Sequence, residues 1–160
     1  MNNKNLMTLA TKQRLEKELQ ESKLKLANAL KEIGEAAGNA SDWHDNAAFD
    51  QANVDHDVNA SWTRSLVAKL RNTQIIKPRQ ETDKIDLGNK VVILYEGAIE
   101  PETYTLLGGD DSGTKRGWIS HTTPLGSMLL GRSEGEVVDI EVGGTKRKAK
   151  VLKILPGDFE

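Results

Sequence analysis

Leu15, Leu19, Ser22, Leu26, Ala29, Ile33 and Ala36 recur at alternating spacings of four and three along the first part of the chain. That spacing gathers small and apolar side chains on one stripe of a helix, the a/d seam of a coiled coil. The stripe predicts a helix of about 30 residues, about 45 Å long at ~1.5 Å per residue. Such a helix outreaches the core of a small domain, so its expected partner is a helix returning antiparallel. Gly38 and Asn39 suit the left-handed dihedrals of a helix end, and Ser41 or Asp42 can cap the next helix. From Asn46 to Leu70 the best stripe is Phe49, Ala52, His56, Asn59, Thr63, Leu66 and Leu70, apolar at its ends and polar in the middle. The second helix is expected to be less secure between His56 and Thr63, with Trp62, one residue off the stripe, covering the weakness.

Further along, the pattern changes. KVVILYEG, ETYTLLGG, RGWISHTT, GEVVDIEV and KRKAKVLKIL are short runs rich in Val, Ile, Leu, Thr and aromatics, separated by Gly, Pro and Asp. These are the marks of strands in a small antiparallel sheet, with LLGGDDSG read as a hairpin turn. Between the third and fourth runs, Pro124 suits the first turn of a short apolar helix and Gly131 stands just past its end. The fold class predicted is α+β: a long helical hairpin over residues 1–78 with its turn near 38–46, then a sheet domain over 79–160.

Composition supports the division. All four prolines and twelve of the fourteen glycines of the 160-residue chain lie beyond Leu70, and Pro78 removes a helical amide donor at the junction. The absence of cysteine excludes disulfides, thiolate-bound zinc and thiol catalysis. The N-terminal MNNKNLMTLATKQ has no apolar signal core, and no run approaches the ~18 apolar residues of a membrane span. A cytoplasmic protein is expected.

Charge is nearly balanced, 22 Lys and Arg against 24 Asp and Glu, but it is segregated. Between Lys31 and Arg64 there is no Lys or Arg, while Glu32, Glu35, Asp42, Asp45, Asp50, Asp55 and Asp57 fall there. The far end of the hairpin is acidic, and its stem carries Lys12, Arg14, Lys17, Lys23, Lys25 and Lys31 on one helix and Arg64, Lys69, Arg71, Lys77 and Arg79 on the other and its continuation. Asp42 and Asp45 admit two readings: carboxylates favoured at a helix N-terminus, or hard oxygen ligands for Mg²⁺ at the end of an arm. Two carboxylates do not hold Mg²⁺ without further ligands, so the second reading requires a partner that completes the site. Trp43 in the turn either contacts a partner or folds back on Phe49. His44, His56 and His121 are scattered, and Ser120 and His121 point to opposite faces of a strand, so no catalytic triad forms. The alternating KRKAK run is a solvated strand face or a weak phosphate contact.

These features together resemble the bacterial Gre transcript-cleavage factors (GreA/GreB) over about residues 7–155. The match is most specific in Ile119-Ser120, Pro124-Leu125-Gly126, Leu129-Leu130-Gly131 and Gly135-Glu136-Val137-Val138. At the tip, Asp42-x-x-Asp45-Asn46-Ala47-x-Phe49 is similar to the family's Asp-x-x-Glu-Asn-Ala-Glu-Tyr. The resemblance implies an FKBP-like second domain that docks on bacterial RNA polymerase through Ser120, Pro124, Leu125, Gly126 and Gly131. It implies a coiled coil entering the secondary channel as a monomer, with Lys12, Arg14 and Lys31 near the nascent RNA. Asp42 and Asp45 would then help hold an Mg²⁺ shared with the polymerase active centre, so that backtracked RNA is cleaved by hydrolysis. The factor itself would be no enzyme.

The sequence departs from the family pattern at four places. Asp45 stands for a Glu and is one methylene shorter, Ala48 occupies the place of a further Glu, Thr11 that of a Gly, and the Arg expected before the turn is missing, with Gly38 in its neighbourhood. A second reading follows from the first two: a channel-binding regulator that modulates or inhibits polymerase without promoting cleavage. A prolyl isomerase would need a deep aromatic-lined pocket, for which the second half offers only Tyr95, Tyr104, Trp118 and Phe159.

Overall fold

The structure, a computed structural model, describes residues 4–38, 47–142 and 144–159. The turn residues Asp42, Trp43, His44 and Asp45 lie outside them. The chain forms two compact units, one of residues 13–72 and one of residues 1–12 with 73–160.

The first unit carries the hairpin helices α1 (Leu9–Gly38) and α2 (Ala47–Arg71). Along α1 the seam is laid out as its spacing predicts: Leu15, Ser22 and Ala29 are buried, and Leu19, Leu26 and Ile33 are half-buried between exposed neighbours. On α2 Ala52 and Leu66 are buried, with Phe49, His56, Asn59, Thr63 and Leu70 half-buried. α2 is unbroken across its polar middle, where Asn53, Asn59 and Thr63 bond the carbonyls of Phe49, Asp55 and Asn59 at 2.8, 2.7 and 2.8 Å. Each returns its polar group to the helix's own backbone four residues earlier. Trp62 does not cover this stretch; it is 48% exposed, in a row with exposed Val54 and Val58 at four-residue intervals.

The second unit holds a five-stranded sheet of β3 (Lys90–Tyr95), β4 (Glu102–Leu107), β5 (Trp118–Ser120), β6 (Val137–Val142) and β7 (Thr145–Leu155), in the order β5-β4-β3-β7-β6. Alternation puts Val91, Ile93, Leu106, Val138, Ile140, Ala149 and Val151 inward, where Leu129 of the short helix α3 (Pro124–Leu129) closes the core. Thr123 caps α3, its Oγ1 accepting the Gly126 amide at 3.2 Å, with Pro124 in the first turn.

Two expectations change. The sheet is mixed rather than antiparallel, because β5 pairs with β4 in parallel (Thr105 opposite Trp118). Gly108 and Gly109 do not close a tight hairpin. The segment 108–117 forms a crossover instead, fastened by Gly113 N–H to Trp118 O at 3.2 Å and Thr114 N–H to Asp111 O at 3.2 Å. In addition, residues 1–12, assigned by sequence to the hairpin, cluster with the sheet domain. The cause is a second, parallel sheet in which β1 (Asn5–Met7) pairs with β2 (Thr73–Ile75), Leu6 standing opposite Gln74. Strands of three residues are too short to show a hydrophobic period.

Candidate functional site: the hairpin and the α3 surface

α1 supplies the basic stem. Arg14 pairs with Glu18 at 2.9 Å and Lys31 with Glu35 at 3.6 Å, both one turn apart and solvent-facing. Exposed pairs of this kind contribute about 0–1 kcal/mol and are readily exchanged for another anion. Lys12 is half-buried on the first turns. Arg14 and Lys31 are separated by about 25 Å of helix axis at ~1.5 Å per residue, so they bracket the stem rather than form one site. His56 sits on the seam side of α2, its Nδ1 3.2 Å from Asp57 Oδ1.

Among the described residues no group of three or more His, Cys, Asp or Glu is placed to hold a metal ion. Asp42 and Asp45, the carboxylates expected from the sequence to meet Mg²⁺, lie outside the described residues. Their chemistry fits it as hard oxygen donors, and their number leaves most of an octahedral shell to a partner.

On the sheet domain, the residues singled out around α3 separate into scaffold and surface. Ser120 is 2% exposed. Its Oγ accepts the Thr122 amide at 3.1 Å and shares a 2.7 Å bond with Thr122 Oγ1, while its carbonyl accepts the Thr123 hydroxyl at 2.7 Å. Gly126 is buried under that carbonyl, where a Cβ would stand 2.0 Å from the Ser120 oxygen. These two shape the turn. Pro124 and Gly131 are exposed and Leu125 is half-buried, so they can meet a partner. Met128 and Leu130 join them at 44% and 40% exposure. Together Pro124, Met128 and Leu130 make an apolar outer face with half-buried Leu125 at its edge, while Leu129 is buried in the core.

His121 donates its backbone amide to Leu107 O at 3.0 Å, and its ring Nδ1 lies 3.1 Å from the same oxygen. It is a strand-end residue. Tyr104, Trp118 and Phe159 line one cleft of about 880 Å³ with Lys90, Glu102, Lys115 and Asp158. Trp118 meets Phe159 edge-on at 5.9 Å and carries the Lys115 amine 4.6 Å above its ring. Tyr95 faces a separate depression with Ile140, Thr145 and Arg147. The four aromatics do not converge on one apolar pocket. No helix among the described residues is long and apolar enough to cross a membrane.

The described residues thus give a seamed helical hairpin and a small mixed-sheet domain whose α3 carries an apolar outer face. Comparison with known proteins gives this architecture a family. Residues 80–156 match the family described as transcription elongation factor GreA/GreB, C-terminal. The transcription elongation factor GreA of Listeria welshimeri is 32% identical over 149 residues, covering 92% of this chain and 93% of its own length. GreA of Streptococcus gordonii is 29% identical over 149 residues with the same coverage of 92% and 93%. A solved structure of GreA factor homolog 1 from Thermus thermophilus is 23% identical, covering 92% of this chain and 96% of its own, with a TM-score of 0.42. The chain belongs to the GreA/GreB family of transcription elongation factors.

Proposed function

We propose that this protein acts on bacterial RNA polymerase, docking through the outer face of α3 and stimulating hydrolytic cleavage of backtracked nascent RNA by the polymerase. The hairpin enters the secondary channel, and Asp42 and Asp45 lend two carboxylates to an Mg²⁺ shared with the polymerase active centre. The observation that carries this reading is the polarity of one hairpin. α1 runs 30 residues without a break, its stem basic and its far end without a single cation between Lys31 and Arg64. A stem of that sign suits an RNA backbone, and a far end of that sign suits a divalent metal.

When bound, Mg²⁺ lowers the pKa of a coordinated water and stabilises charge on the phosphodiester. Asp42 and Asp45 contribute oxygen ligands, Lys12, Arg14 and Lys31 face the RNA, and Pro124, Leu125 and Gly131 hold the factor on the enzyme. The chain is thus an accessory factor, and the polymerase is the enzyme.

A second reading rests on the tip. Asp45 is one methylene short of the family's Glu, and Ala48 offers no ligand where a further Glu is usual. On that reading the protein occupies the channel and regulates polymerase without cleavage. RNA cleavage in a defined backtracked complex with Mg²⁺ separates the two. Cleavage stimulated by wild type and lost in Asp42→Ala supports the first, whereas binding with intact RNA and slowed extension supports the second.

A further inference from the structure

At the base of α1 three donors converge on one carboxylate. Asp111 is fully buried (0% exposed). Its oxygens accept the Thr8 amide at 3.1 and 3.0 Å, the Thr8 hydroxyl at 2.7 Å and the Gly108 amide at 3.3 Å. A buried carboxylate is costly unless its lone pairs are satisfied, and this one is satisfied chiefly by a residue 103 positions away. Thr8 is itself the N-cap of α1: its Oγ1 accepts the Thr11 amide at 3.3 Å and its carbonyl the Lys12 amide at 3.0 Å. Beside it, Asn5 Nδ2 donates to Asp110 at 3.0 Å, and Gly108 lies so close under Leu6 that a Cβ would be 1.6 Å from the Leu6 oxygen. Segment 108–111 therefore grips residues 5–8 by side chain and backbone together.

An N-cap needs no second residue to work, since a threonine hydroxyl alone serves the exposed amides. A carboxylate brought from the β4–β5 crossover adds something else: it ties the start of the helix to the sheet domain. α1 then runs unbroken from this cap to Gly38.

We infer that Asp111 is a positioning residue that holds the first turn of α1 on the sheet domain, so that the hairpin is presented to polymerase through this grip. The inference rests on the function proposed above. Asp111→Asn keeps the size of the side chain but places a donor where Thr8 also donates, Thr8→Val removes the hydroxyl at constant shape, and Thr8→Ser retains it. Asp111→Asn and Thr8→Val are expected to lower cleavage at saturating factor by about ten-fold or more. The concentration giving half-maximal effect should stay at the wild-type value, and Thr8→Ser should behave as wild type. A saturating rate equal to wild type, or a parallel loss of affinity and rate, overturns the inference.

Amide hydrogen exchange keeps the two proposals apart, with protection of β3 and β7 as the control for folding. Exchange at Thr8, Thr11 and Lys12 that rises about ten-fold in Asp111→Asn supports the grip even if wild type leaves RNA intact. Unchanged exchange refutes the grip whatever wild type does to RNA.

Discussion

Ser22 Oγ and Thr63 Oγ1 stand 2.7 Å apart across the hairpin seam. Thr63 already donates its own hydroxyl proton to the Asn59 carbonyl at 2.8 Å, so Ser22 is the donor between them. This bond lies in the polar middle of the seam, beside His56 and Asn59, and it is made only when α1 and α2 are in this register. Ser22→Ala and Thr63→Val should each cost about 0.5–1.5 kcal/mol of stability, the usual net value of such a bond. The double variant should cost less than their sum, because the second change removes a bond already lost. Thermal or urea unfolding of the four proteins measures the coupling, and strict additivity would show that the pair does not interact.

Around α3, burial separates two kinds of residue that one motif brings together. Met128→Asp places a charge on the exposed outer face and should weaken polymerase binding by at least about ten-fold, as truncating a central apolar contact does, with the melting temperature unchanged. Gly126→Ala should act on the fold instead. Its new Cβ would press on the Ser120 carbonyl at 2.0 Å, and overpacking of this kind costs about 1–3 kcal/mol. Binding titrations with polymerase and melting curves for both variants decide the assignment.

Burial of the Tyr104 ring, reinforced by its hydrogen bond to Glu102, raises the phenol above its ordinary value of 10.0. A group whose folded pKa is raised favours the folded state fully below its unfolded value and withdraws that contribution as pH climbs toward the folded one. Stability should therefore fall as pH passes 10.0. Tyr104→Phe should flatten that decline, which melting temperatures measured from neutral to strongly alkaline pH would reveal.

The hairpin was legible because one physical demand, burial of a seam, sets every third or fourth residue: Leu15, Ser22, Ala29 and Leu66 lie where the spacing puts them. The same logic recovers β3 and β6, whose buried positions alternate, whereas Thr105, Leu106 and Leu107 of β4 are buried in succession. Local pattern fails where distant groups decide the geometry. Gly108 and Gly109 look like a hairpin turn, but Gly108 is needed for the approach of Leu6, and Asp111 is drawn to Thr8. The chain therefore crosses over and β5 becomes parallel. Ser120 and Gly126 were visible as part of a motif, yet a motif does not say which residues face inward. The acidic tip was legible as chemistry alone, since Asp42 and Asp45 fall outside the described residues.

The Mg²⁺ dependence of stimulated cleavage tests the central claim most directly. If Asp42 and Asp45 are ligands of the shared ion, Asp45→Glu, which restores the missing methylene, should lower the Mg²⁺ concentration for half-maximal cleavage. Asp42→Ala should raise it about ten-fold or more, by removal of a carboxylate from the coordination shell. Identical Mg²⁺ curves for wild type, Asp42→Ala and Asp45→Glu would contradict the account and leave the tip no part in holding the metal.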